Sequence, residues 1–186
     1  MVQRGGVTLQ APHPATPSRV AGRSFTGVHF KDGPVLLSEL LNAARVRVPL
    51  AGASKDAVLE ELVGVLREAG VVADAEPVLR AVREREKVLS TGIGSGVAIP
   101  HGKSDAIPEL TLAAGVTREP IDFESLDGRP TSLFFLLVGP ESEAGAHVKA
   151  LSRISRLVRR DAFRERLAAA ASPDEFLAVL VEAEAQ

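Results

Sequence analysis

The 186 residues carry 22 Lys and Arg against 24 Asp and Glu, a net charge of −2, and no cysteine. A length in this range suits one ordinary domain, which needs no staple to bury a core. The absence of cysteine excludes disulfides, thiolate metal sites and a cysteine nucleophile, and the near-neutral charge argues against general affinity for nucleic acid.

The longest apolar runs, LFFLLV at 133–138 among them, are six residues, far short of the roughly 20 that span a bilayer. Nor does an apolar core follow the first basic residues, so a soluble, cytoplasmic chain without a secretory leader is expected.

Residues 1–34 hold Pro12, Pro14, Pro17 and Pro34, five glycines and no apolar periodicity. They are read as a disordered tail, because such a composition buries too little surface to offset the entropy of ordering. Four basic residues and one acidic fall in this tail, which leaves the remaining chain mildly acidic at −5.

From Val35 the signals sharpen. LLSELLNA predicts a short helix and RVRVPL alternates as a strand does, and Ser54 is placed to cap a helix with Val58, Leu62, Val65 and Leu66 on one face. Gly70 closes that helix. Asp74 opens another, with Pro77 in its first turn and Val78, Leu79, Val82 and Leu89 as its buried stripe.

Beyond the glycine-rich stretch at 90–104, LTLAAGVT and SLFFLLV predict strands, with FESLDGRP turning between them. The second strand is apolar on both faces and therefore central in a sheet covered on both sides. The last third is predicted helical, with Val148, Leu151, Ile154 and Val158 at helical spacing, then Phe163 and Leu167, and a capping box in SPDE at Ser172–Glu175. The irregular alternation of elements favours a three-layer α/β/α sandwich around a central mixed β-sheet.

The stretch STGIGSGVAIPHGKS, Ser90 to Ser104, holds the chemistry. It is not the G-x-G-x-x-G of dinucleotide binders and it follows a helix rather than a strand. It is not a P-loop either, because five residues separate Gly96 from Gly102 where four are required, and Pro100 removes one cradle N–H. The plainest account of the glycines is a flexible turn feeding a short strand.

Pro100 restricts Ile99 to an extended conformation, so the imidazole of His101 is presented from a stiff strand end. A neutral imidazole is a good nucleophile near its ordinary pKa of about 6.5. On this residue alone, a structural histidine and a phosphoryl carrier both stay open. His147 follows GPESEAGA and is read as the start of a helix, where a phosphate would meet free N–H groups and the positive end of the helix dipole. Arg85, in REREK, is either a solvated charge or a guanidinium able to clamp phosphate oxygens. A two-histidine metal site lacks a third ligand with any sequence signature.

Taken together, STGIGSGVAIPHG resembles the active-site motif of type-2 enzyme IIA domains of the bacterial phosphoenolpyruvate-dependent sugar phosphotransferase system. That is the fructose, mannitol and nitrogen-regulatory class. The likeness runs from about Leu36 to the C-terminus through LSELL, ASKDAVLEELVGVLREAG, IDFESLDGRPTSLFFLLVGP and HVKALSRISRLV. It makes 35–186 a single enzyme IIA domain.

The resemblance implies that His101 accepts phosphate from the histidine-phosphocarrier protein, forming a phosphohistidine intermediate. His147 is implied as a hydrogen-bonding partner of that histidine or its phosphate, and Arg85 as the active-site arginine. No metal or other cofactor is implied. Gly92, Gly94 and Gly96 are read as the loop that bends close under the phosphate. The next acceptor would be an enzyme IIB, and a membrane IIC would be reached only indirectly. Sugar uptake of the fructose type and regulation of the nitrogen type both fit. A binding module that kept the fold and lost transfer is disfavoured by intact Arg85, His101 and His147. The cations Lys149, Arg153, Arg156, Arg159, Arg160, Arg164 and Arg166 predict a basic rim, with Lys149, Arg153, Arg156 and Arg160 on one side of a helix.

Overall fold

A computed structural model describes residues 34–186. The tail expected over 1–34 lies, except for Pro34, outside the described residues.

A one-turn helix α1 (Leu37–Leu40) and a 3-10 turn lead into strand β1 (Val46–Leu50). Helix α2 (Lys55–Glu68) starts where Ser54 Oγ accepts the Ala57 N–H at 3.3 Å, and it ends at Gly70, whose φ of +72° is the left-handed turn glycine tolerates. Helix α3 (Glu76–Val88) carries Pro77 in its first turn, and Asp74 Oδ1 accepts the Glu76 N–H at 3.1 Å.

Three short strands follow, β2 (Gly92–Gly94), β3 (Val97–Ala98) and β4 (His101–Lys103). Two long ones come next, β5 (Thr111–Ile121) and β6 (Thr131–Gly139). The chain closes with helices α4 (Ala144–Leu157), α5 (Asp161–Ala168) and α6 (Pro173–Glu184). The last is capped as expected, with Ser172 Oγ accepting the Glu175 N–H at 3.2 Å.

The sheet is mixed, in the order β1-β5-β6-β3-β2, with β4 also on β6. Strands β3 and β4 form one line parallel to β6, broken at Ile99-Pro100, and β5 runs antiparallel to β6 on its other side. The alternation of β6 feeds two cores. Leu133, Phe135 and Leu137 join the residues of α1, α4, α5 and α6, while Phe134, Leu136 and Val138 join those of α2 and α3. This is the three-layer sandwich, and burial of each such side chain stabilises it by about 1.5–3 kcal/mol.

Two helical stripes differ from expectation. Leu89 lies beyond the end of α3 and is 58% exposed, so the inward position after Val82 is filled by Glu86 instead. In α4 the helix begins at Ala144 rather than at His147. Its buried face is His147, Ala150, Ile154 and Leu157, the side packed on the sheet, which leaves Val148 65% exposed. The residues from Ala144 to Ala146 lack large apolar side chains, so periodicity alone missed the first turn.

Candidate active site

His101 opens β4, and its backbone is fixed in the sheet. It registers with Leu137 of β6, and the Leu137 N–H donates to the Pro100 carbonyl at 3.0 Å. Strand alternation turns the next residue, Gly102, against α3, where an added Cβ would stand 3.0 Å from Val82 N. Only glycine lets strand and helix approach so closely, and this approach brings Arg85, in the last turn of α3, to the imidazole.

Both ring nitrogens of His101 are held. Nδ1 lies 2.8 Å from the Ile99 carbonyl, which can only accept, so the proton sits on Nδ1. Arg85 Nε donates to Nε2 at 3.1 Å, so Nε2 offers its lone pair. The guanidinium is itself anchored by Nη1, which donates to the Leu89 carbonyl at 3.0 Å. Burial holds the His101 pKa below the ordinary histidine value and the Arg85 charge pushes the same way, against the opposing effects of the Ile99 carbonyl and Glu86. The ring is therefore neutral at pH 7.

The sequence-predicted partner His147 is also here. Its ring lies 5.9 Å from that of His101, edge-on at 64°. It is 3% exposed, and Nδ1 has no hydrogen-bond partner among the described residues. Burial, reinforced by His101 and Lys103, pushes its pKa down to about 4. His147 sits one turn inside α4, so the free N–H groups of the helix start precede it. Lys103 stands two residues along β4 from His101 and pairs with Glu141 at 2.8 Å.

The glycines make a hairpin. Gly94 and Gly96 adopt φ of +93° and +76° in the turn from β2 to β3, with Ser95 at +53° between them. A Cβ on Gly92 would meet Ser125 Oγ at 2.3 Å, so the segment after β5 packs directly on the glycine backbone. The Asp127 carboxylate accepts the Ser95 N–H at 2.9 Å and the Leu126 N–H donates to Gly92 O at 3.0 Å.

The basic rim is smaller than expected. Arg153 turns to Glu184 at 2.6 Å, Arg164 to Asp161 at 2.7 Å and Arg166 to Glu182 at 2.6 Å, while Arg160 falls beyond the end of α4. The Glu184 carboxylate, 4% exposed, also accepts the Leu37 and Ser38 N–H groups. Lys149, Arg156, Arg159 and Arg160 are exposed and without an ion pair among the described residues. What the sequence reasoning missed is apolar. Val88, Leu89, Ile93, Leu126 and Val148 are exposed large hydrophobic residues on the segments that carry or adjoin Arg85, the hairpin and His147. Helical spacing placed Leu89 and Val148 in buried stripes, and Val88, Ile93 and Leu126 stand in no pattern that could have marked them as surface.

Among the described residues, no group of three or more His, Asp and Glu side chains is placed to hold a metal ion, and no helix is long and apolar enough to cross a membrane.

The family model described as "Phosphoenolpyruvate-dependent sugar phosphotransferase system, EIIA 2" matches residues 39–183. The chain is 35% identical over 144 residues to the PTS system fructose-specific EIIABC component of Bacillus subtilis, covering 77% of this chain and 23% of that relative. The chain thus spans under a quarter of that longer protein. The crystal structure of nitrogen regulatory protein IIA-Ntr from Neisseria meningitidis superposes with a TM-score of 0.71 at 35% identity, covering 77% of this chain and 97% of that one. A complex of enzyme IIAMTL and phosphorylated enzyme IIBMTL from Escherichia coli gives a TM-score of 0.66 at 22% identity, over 76% of this chain and 97% of that one, a likeness of fold.

Proposed function

Because this chain belongs to the EIIA 2 family of the phosphoenolpyruvate-dependent sugar phosphotransferase system, a family of phosphoryl transfer, we propose that it is a cytoplasmic phosphohistidine carrier. In this proposal residues 35–186 form the carrier domain. His101 accepts a phosphoryl group from the histidine-phosphocarrier protein and passes it to an enzyme IIB in sugar uptake of the fructose type. The observation that carries it is the arrangement of His101, with Nδ1 protonated on Ile99 and Nε2 left as a lone pair beside Arg85.

The Nε2 lone pair forms the new N–P bond while the bond from phosphorus to the donor's ring nitrogen breaks, its electron pair returning to the donor. Nε2 carries no proton, so no general base is needed. The loose transition state spreads charge over three phosphoryl oxygens, and positioned cations and donors do the work. As phosphorus takes the place facing Nε2, the Arg85 guanidinium shifts its hydrogen bonds from the ring to those oxygens. His147, neutral at working pH, donates a ring N–H to the phosphate without adding a charge that would have to be desolvated. Gly92, Gly94 and Gly96 support the site through the hairpin that sets Thr91 and Ile99 and bends the chain close under the phosphate.

Exposed Leu89, Ile93, Leu126 and Val148, on the segments that carry or adjoin Arg85, the hairpin and His147, suit a protein partner that must exclude water while the phosphoryl group passes. The likeness of fold to a IIA bound to a phosphorylated IIB supports IIB as that acceptor, with a membrane IIC reached through it. A second role is favoured by the 35% identity to a IIA-Ntr. In it the phosphorylation state of the same histidine governs which partners bind.

The test is labelling. With phosphoenolpyruvate, enzyme I and the phosphocarrier protein, the chain should gain one acid-labile phosphate and His101→Ala none. Label retained in the variant would move the acceptor elsewhere. A chase with fructose-type IIB separates uptake from regulation, because only a transport IIA should unload onto it.

A further inference from the structure

The turn of α3 that carries Arg85 also carries a buried carboxylate that phosphoryl transfer does not use directly. Glu86 is 7% exposed, on the inward face after Val78, Leu79 and Val82. An uncompensated charge there would be costly. The Thr91 N–H reaches its two oxygens at 3.0 and 3.1 Å, the Thr91 hydroxyl donates to Oε2, and the Lys55 ammonium stands 2.8 Å from Oε1. Lys55 in turn holds Glu124 at 2.7 Å and lies 5.0 Å from the centre of the Phe123 ring. A cavity of about 570 Å³ is lined by Lys55, Glu86 and Leu89 but not by His101.

Thr91 matters for what else depends on it. Its carbonyl accepts the Ile99 N–H at 2.9 Å, and the Ile99 carbonyl fixes Nδ1 of His101. In the other direction, the loop that Glu86 closes onto Thr91 contains Leu89, whose carbonyl anchors Arg85. From one carboxylate, one series of bonds runs to the imidazole and another to the guanidinium.

We propose that Glu86 is the positioning residue of this site, holding His101 in its Nδ1–H tautomer and Arg85 at Nε2 through its bonds to Thr91. Glu86 touches neither the ring nor any phosphate, so it acts only through these neighbours. The expected effect on rate rests on His101 being the phosphoacceptor, whereas the effect on the ring does not.

The experiment reads the nitrogen-15 shifts of the His101 ring in the full, unphosphorylated chain at a pH where the ring is neutral, beside the rate of phosphorylation. Glu86→Ala removes every contact at once. The pair Glu86→Met with Lys55→Met replaces both charges by apolar volume, an exchange that buried ion pairs often tolerate without loss of stability. Wild type should show the Nδ1–H form. Both variants should show a mixture of tautomers and accept phosphate about ten- to a hundredfold more slowly, the scale of a misplacement of up to 1 Å. Glu86→Gln, which keeps an acceptor for the Thr91 N–H, should restore most of the ring signature. If Glu86→Ala does not fold, the Met pair decides. A ring that stays in the Nδ1–H form in the Met pair overturns the proposal whatever the melting temperature does, as would a wild-type ring in the other tautomer. A ring that changes in a protein whose His101 takes no phosphate would leave the positioning standing and remove the carrier function instead.

Discussion

Gly102→Ala tests whether the spacing between β4 and α3 sets the chemistry. The new Cβ would stand 3.0 Å from Val82 N, 3.1 Å from Ala81 C and 3.2 Å from Val82 Cα. All three are backbone atoms of a helix and cannot rotate away, so strand and helix must separate by a few tenths of an ångström. Overpacking of this kind costs about 1–3 kcal/mol, and the lower entropy of an unfolded alanine offsets about 0.4–1 kcal/mol of it. The remainder, about 0–2.6 kcal/mol, corresponds to a fall of up to roughly 10 °C in melting temperature for a chain of this size. The Arg85 to His101 bond, 3.1 Å long, spans the same gap and is already near the outer end of the normal range. Losing it should slow phosphoryl acceptance about five- to tenfold, since a full 1 Å error costs about a hundredfold. Differential scanning calorimetry and single-turnover transfer from the phosphocarrier protein measure the two effects separately. A variant that melts lower yet transfers at the wild-type rate would refute the link between this spacing and the site, and an unchanged melting temperature with an unchanged rate would refute the clash.

Two further predictions follow from the site and its surroundings. The His147 pKa of about 4 in the folded chain lies below its unfolded value, so the unfolded state binds more protons between these values. The contribution of His147 is therefore fully present above about pH 6.5 and is lost as pH falls toward about 4, a change on the order of 2–3 kcal/mol. His147→Gln should flatten that part of the urea-stability profile, and an equally steep profile in the variant would show that other groups carry it. Exposed Lys149 and Arg156, which have no ion pair among the described residues, should steer an acidic or phosphorylated partner. The double change to Glu should slow second-order transfer at low salt and much less near 1 M, where the Debye length falls to about 3 Å. A rate unchanged at both strengths would make them ordinary surface.

Local chemistry determined a good deal of this molecule. Ser54, Gly70, Pro77 and Ser172 bound their helices where capping preferences place them, because a cap is satisfied within a few residues of chain. The double-sided apolar run of β6 marked the centre of the sheet, since only a strand covered on both faces can bury every side chain. The motif around His101 also made Arg85, His101 and His147 candidates, and the fold does bring the three together. What the sequence could not decide is everything that depends on two distant segments meeting. Leu89 looked like core, yet Glu86 takes the inward place because Thr91 and Lys55 converge on its carboxylate as α3 ends. Arg153 looked like free rim until Glu184, 31 residues further on, arrived beside it. The proton on Nδ1 of His101 and the bare Nε2 follow from an Ile99 carbonyl and an Arg85 guanidinium that approach from separate elements. The approach depends on Gly102, whose missing side chain has a purpose only once a helix backbone lies against it.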